Sequence, residues 1–147
     1  MKVLLTGATG FIGRSLTLRL LRDGHEVVAS VRSRERAAGV LEPGVGLISA
    51  TDDEALATCL PSCDAVVNLA GEPVLGGRWT AARRKALVDS RVGLTRGLVA
   101  AMGSSQGPKV LVSASAVGIY GDAGDRELDE DGPAATDFLA RLCADWE

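Results

Sequence analysis

The sequence predicts an α/β domain built on a doubly wound parallel sheet, strand order 3-2-1-4-5, with helices on both faces. Three observations carry this. Five short apolar runs alternate with helix-like segments along the 147 residues, and that alternation requires crossovers between parallel strands. The first run, Val3-Leu4-Leu5, opens directly into Gly7-x-x-Gly10-x-x-Gly13. The second, Glu26–Val31, is continuously apolar at its centre rather than alternating, as strands covered on both faces are.

Composition sets the limits. A chain of 147 residues, 46% hydrophobic, is one domain's worth of core. Its net charge of −3 provides no general basic field for nucleic acid or an anionic membrane. No apolar run approaches the ~18 residues of a membrane span. The glycine turn also interrupts the first segment where a secretory signal would keep its apolar stretch, so a cytoplasmic location is expected. Cys59, Cys63 and Cys143 are odd in number and lack metal-site spacing. They are expected as reduced, core-packing thiols, with no metal. The single histidine, His25, falls in a helix-to-strand turn and receives no chemistry.

Each element follows in order. The glycine spacing suits a dinucleotide pyrophosphate, which needs close backbone approach and the positive end of a helix dipole at one spot. Gly7 allows the tight turn out of the strand, Gly10 removes a Cβ that would block the phosphates, and Gly13 lets the helix lie close. Thr9, Phe11 and Ile12 complete this cradle. The first helix, Phe11–Arg22, carries Ile12, Leu16, Leu20 and Leu21 on one face and meets its stop signal at Gly24. The second strand ends at Arg32-Ser33-Arg34, where NAD-specific sites place a carboxylate for the ribose 2′-hydroxyl. Two guanidinium groups and a hydroxyl suit a 2′-phosphate instead, so NADP(H) is expected in preference to NAD(H). Arg36 extends the run, and a solvated basic loop is the competing reading.

Val45–Ala50 is a shorter third strand, and Asp52-Asp53-Glu54 opens a helix ending near Leu60-Pro61. Asp52 either caps that helix or approaches the adenine, and the cap is favoured. Asp64–Gly71 gives a fourth strand and a small-residue turn, placing Asn68, Leu69, Ala70 and Gly71 beside the first turn as cofactor contacts. From Thr80 to about Met102 a long helix is expected to turn Leu87, Val88, Val92, Leu98 and Val99 inward and Arg83, Arg84 and Lys85 outward. Lys109–Ser113 is the fifth strand, with Ser113 at the cofactor edge, followed by a Gly- and Asp-rich loop from Gly118 to Gly132. Asp137 opens a last helix, Phe138–Glu147, which meets no stop signal. Residues 1–147 are therefore expected to be a truncated nucleotide-binding domain without its C-terminal substrate-binding portion. Apolar surface left uncovered on this helix would favour a homo-oligomer.

With these residues in place the chain resembles the short-chain dehydrogenase/reductase superfamily, in its extended, epimerase-like branch, and so a Rossmann-type fold. Gly7-x-x-Gly10-x-x-Gly13, Asn68-Leu-Ala-Gly71, Ser113-Ala-Ser115 and Ile119-Tyr120-Gly121-Asp122 occur in that superfamily's order. Asn68-Leu-Ala-Gly-Glu-Pro73, Arg78-Trp79, Ser90-Arg91, Asp137-Phe-Leu-Ala140 and Asp145-Trp146-Glu147 look like the atypical subgroup labelled "epimerase family protein". The resemblance implies a catalytic Asn, a Ser or Thr, and a Tyr-x-x-x-Lys pair. Ser115 matches the hydroxyl position. Arg91 takes the Asn place, however, and Leu139-Ala-Arg-Leu-Cys143 stands where Tyr-x-x-x-Lys is implied. Leucine can neither donate the tyrosine proton nor supply the lysine charge. The remaining acid/base candidates are Tyr120, the only tyrosine, and Cys143. Arg78 and Arg91 suit an anionic group on a small-molecule substrate. Two readings follow: an NADP-dependent oxidoreductase or sugar-nucleotide-type epimerase with a rearranged acid/base set, or a nucleotide-binding sensor or scaffold that has lost the chemistry.

Overall fold

The computed structural model describes residues 1–104 and 106–147, residue 104 by its backbone alone. Five parallel strands, β1 (Lys2–Thr6), β2 (Glu26–Val31), β3 (Gly46–Ser49), β4 (Ala65–Asn68) and β5 (Val110–Ser113), form one sheet in the order β3-β2-β1-β4-β5. The helices are α1 (Phe11–Arg22), α2 (Arg34–Ala38), α3 (Asp53–Cys59), α4 (Ala81–Val88), α5 (Leu94–Ser104) and α6 (Phe138–Trp146). Register is set by the apolar residues of β1: Leu4 faces Val28 on one side and Val66 on the other, and Leu5 faces Ala29 and Val67.

Each face of the sheet carries its own core. Leu4, Val28 and Val66 meet Leu60, Cys63 and Leu98 on the α3/α5 face. Leu5, Val27, Ala29 and Val31 meet Ala8 and Ala37 on the α1/α2 face. Leu4 and Leu5 are fully buried, and a leucine so placed contributes about 1.5–3 kcal/mol. A third cluster, Leu87, Val92, Leu142 and Trp146, ties α4 to α6 away from the strands.

Helix starts follow local chemistry. The side chains of Ser33, Asp52, Thr80 and Asp137 accept first-turn backbone N–H groups of α2, α3, α4 and α6. Asp52 is therefore the cap, bonding Ala55 N at 2.8 Å.

Four expectations are corrected. The stretch after Arg32 is no loop: α2 is a five-residue helix, too short to show a period. The long helix is broken by a π turn at Asp89–Gly93, and beyond it Val99 is 51% exposed rather than inward. Arg83 is not a solvated charge: it turns in and pairs with Glu72 at 3.0 Å. The apolar side of α6 is covered, with Ala140, Leu142, Cys143 and Trp146 all buried. Exposed apolar side chains lie elsewhere, among them Phe11, Leu75 and Val117, and Val110 and Val112 on β5. Among the described residues no helix is long and apolar enough to cross a membrane, and no cluster of His, Cys, Asp or Glu could hold a metal.

Candidate active site and nucleotide cradle

All the predicted loops meet at one edge. Thr6 pairs with Ser30 and Asn68, Asn68 with Ser113, and Val31 with Ser49. The carboxyl ends of the strands thus present Gly7–Gly13, Arg32–Arg34, Leu69–Gly71 and Ser113–Ser115 along one rim. This is where open α/β sheets bind ligands.

The cradle is built by contact. Gly7 has φ +70°, and a Cβ there would sit 2.6 Å from the Leu69 carbonyl, so only glycine lets the first turn pass under the fourth. A Cβ on Gly13 would fall 2.2 Å from the Gly7 carbonyl oxygen, so Gly13 packs α1 on the turn itself. Gly10 is less confined than Gly7 or Gly13. Its nearest obstacle is the Gly7 carbonyl at 3.2 Å, and its backbone is ordinary, with φ −76°. Gly10 begins α1 with no side-chain cap, unlike the loop-started helices α2, α3, α4 and α6. Thr9, Gly10, Phe11 and Ile12 are all exposed around this start. Backbone donors and the positive helix end thus face outward, the arrangement a pyrophosphate fits.

Asn68 stands differently from its sequence assignment. It is 0% exposed. Its Oδ1 accepts from Thr6 Oγ1 at 2.6 Å, and its Nδ2 donates to Thr95 Oγ1 at 2.8 Å and to Ser113 Oγ at 3.3 Å. Its side chain cannot reach a nucleotide. It locks β1, β4, β5 and α5 together beneath the rim, with Thr6 Oγ1 also accepting Ala70 N–H at 3.2 Å. The side-chain oxygen of Ser113 is likewise engaged by Asn68. Leu69, Ala70 and Gly71 lie on the rim itself.

Past β2, the Arg32 side chain is 87% exposed and lies 3.7 Å from Glu72. Ser33 accepts Arg36 N–H at 3.3 Å, which leaves its hydroxyl proton available, and Arg34 is exposed at the start of α2.

On the other side of β1, the π turn sets Ser90 and Arg91 against the loop after β4. Ser90 Oγ accepts Glu72 N–H at 3.0 Å, and Arg91 Nη1 donates to the Glu72 carbonyl at 2.9 Å. π turns of this kind recur at functional sites. The Arg91 guanidinium lies 5.2 Å from the centre of the Trp146 ring, and a Cβ on Gly71 would be 3.0 Å from it. Burial lowers the Arg91 pKa, partly offset by the nearby Cys143 and Glu72. The Trp146 Nε1 is buried without a hydrogen-bond partner among the described residues. Arg78 is exposed in the loop, beside Trp79, whose ring meets Phe138 edge-on at 5.9 Å.

The sequence named three acid/base candidates. Cys143 is 5% exposed, and burial pushes its thiol above the ordinary range although Arg91 pulls the other way. At neutral pH it stays a thiol. Tyr120 closes the 3₁₀ turn Val117–Tyr120, with its ring edge against Gly132. Ser115 is exposed and its Oγ donates to the Glu147 carboxylate. Sequence reasoning missed Glu147 as a site residue. The signal was its spacing, since Leu139, Cys143 and Glu147 recur every fourth residue on α6 and its end. It also missed Glu72, which joins Arg32, Arg83 and Arg91.

Sheet order, cradle and rim together define a Rossmann-type nucleotide-binding domain of the short-chain dehydrogenase/reductase kind. The model of the NAD dependent epimerase/dehydratase family matches residues 3–139, and the chain belongs to that family. The human "Epimerase family protein SDR39U1" is 41% identical over 151 residues, covering 100% of this chain and 48% of the relative. The crystal structure of human SDR39U1 (isoform2) with NADPH superposes with a TM-score of 0.81 at 38% identity, over 99% of this chain and 47% of that one. A nucleoside-diphosphate sugar epimerase from Corynebacterium glutamicum gives a TM-score of 0.74 at 33% identity, over 99% of this chain and 29% of that one. This chain therefore spans less than half the length of each of these.

Proposed function

We propose that this chain is the NADP(H)-binding portion of an oxidoreductase or sugar-nucleotide-type epimerase whose acid/base set departs from its superfamily. The observation that carries the reading is the open start of α1. An uncapped helix end with exposed backbone donors lies beside the Gly7 turn, and Arg32 rather than a carboxylate follows β2. NADPH in the human relative supports it.

In this reading each residue has a role. The Gly7–Gly13 turn and the N–H groups of Phe11 and Ile12 hold the pyrophosphate. Arg32, Ser33 and Arg34 hold the 2′-phosphate, while Leu69, Ala70 and Gly71 line the groove. The nicotinamide supplies hydride transfer when bound. The Ser115 hydroxyl takes a proton from a substrate hydroxyl as its own passes to the Glu147 carboxylate, and the reverse path returns it. Arg91, fixed between Gly71 and Trp146, holds an anionic substrate group, with Arg78 at the loop rim. Because the chain spans less than half of its relatives, the activity of the whole protein belongs to this proposal too.

A specific observation favours a second reading, a nucleotide-binding sensor without turnover. By the resemblance, Leu139 and Cys143 stand where a proton donor and an ammonium group are implied, and Cys143 is buried. Fluorescence titration with NADPH and NADH tests binding. NADPH should bind more tightly, and Arg32→Asp should remove the difference. Equal dissociation constants in the unmutated protein would refute the cofactor assignment. Turnover of any member of a panel of sugars, aldehydes and ketones, followed by NADPH absorbance, excludes the sensor.

A further inference from the structure

Among the described residues, Glu72 is the carboxylate that pairs with arginines from both sides of the rim. Its Oε1 is 3.0 Å from Arg83 Nη1, and its Oε2 is 3.7 Å from Arg32 Nη1. The two partners are not equivalent. The Arg83 side chain is 21% exposed and also donates to the Pro73 carbonyl, whereas that of Arg32 is 87% exposed. The backbone of Glu72 is fixed at both ends, its N–H on Ser90 Oγ and its carbonyl on Arg91 Nη1. Arg32 follows β2 and Glu72 follows β4, and β1 lies between those strands. The Arg32–Glu72 pair therefore spans the end of β1, over the turn where the nucleotide must lie.

We infer that Glu72 is a specificity-determining residue: a resident anion on Arg32 that a cofactor 2′-phosphate must replace. This rests on the reading that Arg32 takes the 2′-phosphate. The asymmetry of the pair indicates what moves. Glu72 is held by Arg83 and by its backbone ties, while Arg32 has a long, solvated side chain and one long-range contact. The exchange leaves Glu72 neutralised by Arg83, so no carboxylate is stranded when Arg32 turns to the phosphate. It also sets a limit. Because Glu72 competes with the phosphate for Arg32, the preference for NADPH over NADH is smaller than a free Arg32 would give.

The test is Glu72→Gln, whose side-chain oxygen can still accept from Arg83, in the unmutated chain and in Arg32→Ala. Dissociation constants for NADPH and NADH are read by fluorescence at fixed salt, with a melting curve as the folding control. Glu72→Gln should tighten NADPH about three- to tenfold and raise the NADPH-to-NADH preference by a similar factor. In Arg32→Ala the same change should leave NADPH binding within about twofold, because no arginine remains to be exchanged. Unchanged or weaker NADPH binding by Glu72→Gln would overturn the inference. So would a gain that persists in Arg32→Ala, since that would be simple repulsion without exchange. Failure of the underlying reading has its own signature: Arg32→Ala would then leave NADPH affinity unaltered.

Discussion

Removal of the buried Asn68 side chain separates support of the rim from contact with the cofactor. In Asn68→Ala three hydrogen bonds vanish at a site that is 0% exposed: Thr6 Oγ1 at 2.6 Å, Thr95 Oγ1 at 2.8 Å and Ser113 Oγ at 3.3 Å. At roughly 1 kcal/mol each, the loss is about 3 kcal/mol, and three hydroxyls must find new partners inside the protein. For a chain of this size that lowers Tm by about 6–12 °C. NADPH affinity, measured well below the new Tm, should fall only a fewfold, because Leu69 and Ala70 keep their place on the rim less firmly. Differential scanning fluorimetry and NADPH titration measure both on one sample. A Tm within ~2 °C of the parent, with NADPH binding weakened tenfold or more, would mean that Asn68 touches the nucleotide and that the buried network is misread.

The last two glycines of the motif should fail in opposite ways. Gly10→Val, at a backbone conformation open to any residue but with its Cβ 3.2 Å from the Gly7 carbonyl oxygen, should lower Tm less than a change at Gly13 yet abolish NADPH and NADH binding alike. Gly13→Ala, with its Cβ 2.2 Å from the Gly7 carbonyl oxygen, should cost at least about 1–3 kcal/mol by chemical denaturation. Asp137→Ala removes the cap bonds to Leu139 and Ala140 and should cost ~1 kcal/mol by the same measurement. Cys63, pushed up to about 12 by burial and by its contact with Cys59, adds stability that is full below the unfolded thiol pKa near 8.5 and is lost as pH rises toward 12. Urea midpoints taken from pH 8 to 11 should therefore fall less steeply in Cys63→Ala. Finally, these 147 residues alone should turn over carbonyl substrates at least ~10²-fold below the ~10 s⁻¹ typical of enzymes, as NADPH absorbance would show.

What the sequence made legible was whatever is local. Apolar runs placed all five strands, and glycine spacing placed the cradle, because both follow from covalent chain geometry within a dozen residues. Asp52 and Asp137 could be read as caps for the same reason. The misreadings were of side-chain direction. Nothing in Asn68-Leu-Ala-Gly says that Asn68 points into the sheet toward Thr95, 27 residues away. Arg83 reads as a surface charge on any helical wheel until Glu72 is brought beside it by the loop after β4. The π turn is invisible to a fixed 3.6-residue period, and it alone shifts Val99 out of the core. Glu147 was quoted as part of a motif, but its role needed the fold to bring Ser115 to the end of α6.

The separation of the third apolar cluster from the two sheet cores implies two tiers of local stability. α6 packs chiefly on the Val117–Tyr120 turn and the π turn, and its buried Leu142 and Trp146 share their cluster with Leu87 and Val92 rather than with the residues of β1 or β4. The π turn is the seam, with Leu87 on one side committed to that cluster and Leu98 on the other committed to the sheet. Amides of α4 and α6 should thus exchange with solvent through partial openings that leave β1, β2 and β4 protected. The Gly7–Gly13 turn would persist while the Arg91–Trp146 and Ser115–Glu147 contacts come apart, so one half of the rim can stay formed while the other opens and closes.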